Sequence, residues 1–303
     1  MEIDVPLVLA RWVHFLCLMI VFGASLFELY AWRNGVKAEG ALALGVGEPR
    51  IRLAASLALI SALVWVASSF AAMVGGFDGL DLDALGAFFL ETRFGPVWLT
   101  RLAIIIALVL VLESTPRSRR RTVLSVWLAA LALASQAWLG HAAMRTGAEL
   151  VIELVSYMTH VLAGGAWIGG LLALAAVLAS RGSGPGDTGI SDCHAALRRF
   201  SNLGMIWVLL ILLSGVANSV FRLKFLGDLF TTPYGDAILG KIALFSLMLL
   251  AAAINRWRLM PRLESADDEA TLLALRRNIM IEQGLAVLVL GVAAILGTLP
   301  PRA

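Results

Sequence analysis

Three of the four histidines in this 303-residue chain, His14, His141 and His160, lie inside long apolar runs. Imidazole is costly in hydrocarbon unless it is hydrogen-bonded, hydrated or bound to a metal. Cys17 follows His14 by three residues and Met144 follows His141 by three, so each pair shares a helix face. Met158 stands near the same end of the run that holds His160. Imidazole with thioether and thiol suits copper, Cu(I) above all, while imidazole alone also accepts Cu(II) or zinc. Around His160, Glu153 and Ser156 fall at i−7 and i−4, and Gly164 and Trp167 at i+4 and i+7. That stripe offers an acidic approach, a hydroxyl, an imidazole, a close-packing glycine and a large aromatic on one face. Each feature also has a plainer reading. An intramembrane histidine commonly bonds a neighbouring helix, and methionines at helical spacing fill cores.

The elements that must position these residues are membrane helices. Hydrophobic residues make up 60% of the chain and charged ones 15%, too few to cover a soluble globule. Eight spans are predicted, at about 6–32, 51–75, 96–113, 122–144, 150–180, 200–221, 235–257 and 278–299, each long enough for a hydrocarbon core of about 30 Å. The fold class is therefore an all-α polytopic bundle, a single domain over 1–303, with helices satisfying their own backbone groups in lipid. A short surface helix is expected over Leu82–Leu90. Most arginines and lysines cluster in alternate loops, around 33–52, 114–121, 181–199 and 256–277. The positive-inside rule then places both termini in the periplasm. On that orientation all three histidines sit in the periplasmic half, with His14 about 12 Å and His160 about 15 Å along their helices at 1.5 Å per residue. Three imidazoles on one side predict a shared metal mouth.

The net charge of +3 is accounted for by basic loop residues, so no nucleic-acid partner is expected. The first apolar run is long and carries Arg11 and His14, as an uncleaved helix would. Cys17 and Cys193 are far apart and predict no disulfide. No internal repeat stands out. Phosphate-loop, CxxC, HExxH and nucleophile-elbow motifs are all absent, so neither an enzyme nor an ATP-driven pump is expected. Lys241 and Glu282, charged residues inside spans, read as an ion-pair scaffold or a relay. Cys193 and His194, read as part of the flexible cytoplasmic loop at 181–199, are candidates for a cytoplasmic exit.

Four segments carry a family resemblance: RWVHFLCLMIVFGASLF at 11–27, THVLAGGAWIGGLLAL at 159–174, RRFSNLGMIWVLLILLSGVANS at 198–219 and TPYGDAILGKIALFSLMLLAAAINRWRLMPRL at 232–263. The combination of His160, Trp167 to Gly170, Arg199 to Ser201, Tyr234-Gly235 and Lys241 resembles the copper resistance protein D family. The resemblance implies an eight-helix protein of the bacterial inner membrane that takes copper ions from periplasm to cytoplasm. It implies a separate CopC-type periplasmic copper-binding partner, and it maps the family's histidines onto His14, His141 and His160. Arg199, Tyr234, Lys241 and Asn255 come over without a role.

Copper uptake is thus the leading expectation, with Cys17, Met144 and Met158 as auxiliary ligands and Glu153, Trp167, Lys241 and Glu282 in support. Two alternatives stand beside it: a haem b protein with His14 and His160 as axial ligands, and a non-transporting copper-binding or docking protein. Only neutral imidazole ligates, so uptake should fall as pH drops through the ordinary histidine value of about 6.5. A pH profile of copper uptake that stayed flat between about 5 and 8 would speak against histidine capture.

Overall fold

The computed structural model describes residues 4–31, 47–76, 81–139, 146–180, 190–223, 225–266 and 269–299. Among them no strand occurs, and eight helices are long and apolar enough to cross a membrane. We label these α1 (Val5–Ala31), α2 (Glu48–Val74), α3 (Gly95–Ser114), α4 (Arg119–Ala134), α5 (Gly147–Ser180), α6 (Ile190–Val220), α7 (Pro233–Ile254) and α8 (Glu269–Leu296). The protein is a multi-pass helical membrane protein.

The spans match the sequence reading, with three extensions. α6 starts about a full ten residues before its apolar run, at Ile190 rather than near 200, and α8 starts at Glu269 rather than near 278. α7 runs on through a π-helical turn, Asn255–Leu259, into Met260–Ala266. Hydropathy marks only the part of a helix that needs lipid, so polar extensions beyond the hydrocarbon are invisible to it. The expected short helix is present at Leu82–Glu91, where the Asp81 carboxylate accepts from the Ala84 amide at 2.6 Å.

α1 touches five of the other seven spans. It packs against α2, α4, α5, α6 and α8, and it buries Phe15, Leu18, Val21, Phe22 and Phe27. Its closest neighbour is α5, and glycine makes that approach possible. A Cβ on Gly23 would lie 2.6 Å from the Gly169 Cα, and one on Gly169 would lie 2.8 Å from the Gly23 Cα and collide with the Met19 carbonyl. Gly165 and Gly169 of α5 form a small-xxx-small face, the pattern that lets membrane helices touch backbone to backbone.

Arginines close the ends of α1, α3 and α5. The guanidinium of Arg199 donates to the Ala31 carbonyl, Arg121 to that of Leu112 at 2.8 Å, and Arg276 to that of Leu178 at 3.0 Å. Each last carbonyl would otherwise lack a donor, and the cation also meets the negative end of the helix dipole. Glu48 and Glu28 complete the network with Arg52, Arg117 and Arg121.

The geometry corrects the reading that the chain has no repeat. α3 and α7 open with one motif: Thr92-x-x-Gly95 followed six residues later by Arg101, and Thr232-x-x-Gly235 followed six residues later by Lys241. In both, the threonine hydroxyl accepts from the glycine amide, at 3.1 and 3.0 Å. In both, it donates to a carbonyl four residues back, at 2.6 and 2.7 Å. Each glycine abuts the backbone of the short preceding helix so closely that a Cβ would strike it. α1 and α5 likewise share His-x8-Gly, as His14 to Gly23 and His160 to Gly169, and those two glycines form the crossing. The chain is thus built from two four-helix halves, α1–α4 and α5–α8. A repeat carried by so few positions is drowned by interchangeable apolar residues when the sequence is read alone.

The crossing yields a prediction. Gly23→Leu or Gly169→Leu must separate α1 from α5, costing about 3 kcal/mol or more. Either substitution should lower the melting temperature in detergent sharply, whereas Gly204→Leu, where a Cβ meets nothing, should not.

Candidate functional site

His14 and His160 occupy two niches of the same design, one in each half. In the first, His14 Nδ1 lies 2.9 Å from the Ala58 carbonyl and 3.3 Å from Ser61 Oγ, both on α2. In the second, His160 Nδ1 lies 3.1 Å from Ser214 Oγ on α6. Both serines give their own hydrogen to a carbonyl of their helix: Ser61 to Ala58, Ser214 to Leu210. The hydroxyl oxygens are therefore acceptors, Nδ1 carries the proton, and Nε2 presents a lone pair. In each niche that lone pair faces a cation from the third helix of its half. Arg101 of α3 donates to His14 Nε2, and Lys241 of α7 stands 3.3 Å from His160 Nε2.

The niches differ in closure. His14 and Arg101 are both 0% exposed. The Arg101 fork also donates to the Ala132 carbonyl at 2.5 Å and to Ser135 Oγ at 2.7 Å. The rings of Trp65 and Trp98 lie 5.8 and 6.0 Å from its guanidinium carbon. Such a charge is held by its hydrogen bonds and by the aromatic faces. Lys241 and His160 are only partly buried, and the bond to His160 is the one hydrogen bond of Lys241 among the described residues. α2 packs closely on α3, whereas α6 and α7 pack little against each other, and His160 lies between them with Ser214 on one side and Lys241 on the other.

Charged, polar and aromatic residues continue along α5 on either side of the second niche. Toward the end where α5 begins, Glu153 is 1% exposed, and Arg222 lies 3.6 Å from its carboxylate. Ser156 donates to the Ser214 carbonyl at 3.1 Å and ties α5 to α6 just ahead of His160. In the other direction Trp167 meets Phe245 edge to face at 5.8 Å. Beyond that pair lies a cavity of about 510 Å³ between α5, α6, α7 and α8. Its walls are apolar except at Glu282, Asn255, Ser201 and Arg256. Asn255 opens the π-helical turn, donates to Glu282, and accepts from Asn278 at 2.7 Å. A π turn frees backbone groups and often marks a functional position.

The sequence-predicted residues distribute as follows. His141 and Met144 lie outside the described residues. His14 and His160 have no partner in common. Among the described residues no three of His, Cys, Asp and Glu come close enough to hold a metal ion. Cys17 is buried one turn from His14, and Met158 packs against Ala137 and Leu154. Cys193 is not on a loop: it lies on α6, fully buried in the core, with His194 beside it on the same helix. A bis-histidine haem would need both Nε2 atoms turned to one plane, and here each meets a cation of its own half. Sequence reasoning passed over Arg101, Ser61 and Ser214. The signal for Arg101 was available, as an arginine seven residues into an apolar helix at the spacing that Lys241 repeats.

Comparison with known proteins fits this picture. A family model for the copper resistance protein D-like N-terminal domain matches residues 1–152, and one for copper resistance protein D matches residues 194–296. Copper resistance protein D of Pseudomonas syringae pv. tomato is 31% identical over 98% of this chain and 97% of its own length. The chain belongs to the copper resistance protein D family. Another relative, the inner membrane protein YebZ of Escherichia coli, is 29% identical over 96% of the chain and 97% of its own length. The copper transport protein CutJ of Bacillus subtilis is 29% identical over 69% of this chain and 37% of its own length. No solved structure matches.

The two niches should respond differently to loss of the ring. His14→Leu strips an acceptor from a sealed guanidinium and should cost about 2 kcal/mol or more. His160→Leu strands a lysine that can snorkel outward and should cost less. Thermal melts of the two purified variants in one detergent check the order.

Proposed function

We propose that this protein carries copper ions from the periplasm to the cytoplasm across the bacterial inner membrane, and that the ion passes through the second half of the chain. The observation that carries this reading is the succession of Glu153, His160, the Trp167–Phe245 pair and the cavity that Glu282 lines, along α5, α7 and α8. Glu153 attracts the cation, and His160 Nε2 supplies the first nitrogen ligand in its metal-binding tautomer. Trp167 and Phe245 separate the two compartments, so the ion never meets an open channel. The cavity receives it, and Glu282 with Asn255 offers oxygen acceptors on the inward side. Oxygen ligands hold soft copper weakly, which favours release over storage.

On this reading the protein is a carrier and not an enzyme, and copper is its cargo. His141 and Met144, three residues apart in the sequence, serve as the outer receiving pair, and a CopC-type periplasmic protein delivers the metal. Membership of the family and the relative named a copper transport protein support copper as the ion. The basic residues at one end of the bundle support placing that end in the cytoplasm through the positive-inside rule.

The test is cell-associated copper in a strain expressing the chain or its His160→Ala variant, at matched membrane levels. The variant should lose at least about nine tenths of the chain-dependent copper, the tenfold effect expected of a lost ligand or its support. Accumulation equal to the parent would end the proposal.

A further inference from the structure

Each half of the chain builds the same polar unit from its first three helices. The order in the first half is His14, Ser61, Arg101, and in the second His160, Ser214, Lys241. The glycines nine residues after the two histidines touch each other, and the threonine caps nine residues before the two cations make the same bonds. Four independent coincidences of spacing and contact point to duplication of a four-helix module.

The cation occupies the position a metal would take. Nδ1 is protonated and held by the second helix, so Nε2 is the only nitrogen free to ligate, and the guanidinium or ammonium stands directly before it. The niche therefore carries a positive charge whether or not a metal is present. Losing that cation has different consequences in the two copies. Arg101 would give up bonds to His14, Ala132 and Ser135 together with two tryptophan faces, and it is sealed on every side. Lys241 would give up one bond on a flexible four-carbon stem, at the groove between α6 and α7.

We infer that Lys241 is a built-in stand-in for the transported cation: copper binds His160 Nε2 by displacing the Lys241 ammonium, while Arg101 locks the duplicate niche at His14 into a purely structural role. The inference rests on the copper-carrying reading above and specifies how its site is filled and emptied. Displacement keeps the charge beside the imidazole nearly constant through the cycle, which avoids exposing an unpaired charge to low dielectric. Return of the ammonium to Nε2 expels the ion, so the same lysine that opposes binding also drives release.

The experiment uses the full chain in lipid nanodiscs, titrated with Cu(I) under reductant and with Cu(II) without it. Lys241→Met removes the competitor at nearly constant volume and should tighten copper binding at least tenfold. In proteoliposomes the same variant should slow net copper passage, because nothing expels the ion. Lys241→Arg should weaken binding at least tenfold by locking the niche as in the first half. Affinities of both variants within twofold of the parent would overturn the inference. A second measurement needs no variant. With 15N-histidine in the unmodified protein, copper should shift or broaden the His160 signals and leave those of His14 unchanged. Perturbation of His14 instead would also overturn it. If the parent chain moves copper and yet the Lys241 variants bind as the parent does, this exchange fails while the transport reading stands. If the parent neither binds nor moves copper, both fail.

Discussion

The bond from an imidazole Nδ1–H to the neighbouring helix sets the terms for everything else in this bundle. Once that proton is committed to an oxygen of the neighbouring helix, the Ala58 carbonyl for His14 and the Ser214 hydroxyl for His160, the ring cannot rotate freely, and its second nitrogen is fixed as an acceptor. An acceptor inside a membrane demands a donor, and both halves of the chain supply a cation. That cation must in turn be positioned, which explains the threonine-capped helix starts and the glycines on which those starts close up. Chemistry at one ring atom thereby reaches back to the placement of three helices.

The same unit has two outcomes because arginine and lysine solve the problem differently. A guanidinium is planar, offers five donors and stacks on aromatic faces, so it can be satisfied in several directions at once. Trp65 and Trp98 meet edge to face at 5.3 Å beside Arg101, and Trp65 also meets the His14 ring at 5.7 Å. The first half is a cage that closes around its charge. An ammonium is a point charge on a flexible stem. In the second half, α6 and α7 are joined at this level through one imidazole, and farther along the same helices lies the cavity that Glu282 lines.

Much of this was legible from residues alone, and the remainder was illegible for identifiable reasons. Hydropathy located all eight spans and the surface helix after Asp81, because membrane insertion selects for apolar length above any finer pattern. The stripe Glu153, Ser156, His160, Trp167 was also readable, since helical period alone puts those residues on one face. Two things were not. Which way a face points depends on rotation about the helix axis, and a uniformly apolar helix gives no amphipathic signal to fix it. That is why His14 and His160 read as neighbours around one ion when each is turned to its own α2 or α6 partner. The position of Cys193 was hidden by its polar surroundings, which read as loop but continue α6 as helix. The repeat was hidden because a duplicated membrane module keeps only its polar and glycine positions recognisable. Leu, Ile, Val and Ala exchange at the rest with little loss of volume fit.

On the copper-carrying reading, duplication offers a reason for a copy that carries nothing. If lysine and metal exchange at His160, that niche has no stability to spare, since its partners separate and rejoin in each cycle. Its first helix, α5, therefore has to be held from the opposite face. The Gly23–Gly169 crossing provides that hold by pressing α5 against α1, and α1 is itself fastened by His14 to α2 and α3 and by packing to α4 and α8. Backbone contact of this kind is rigid because no side chain intervenes to give way. Arg101, bonded to the α4 carbonyl of Ala132 as well as to His14, extends the brace through the fourth helix of its half. The locked niche acts as the fixed wall against which the second half can open and close. Replacing its arginine by lysine over evolutionary time would leave two loose modules leaning on each other, with neither able to define where His160 stands.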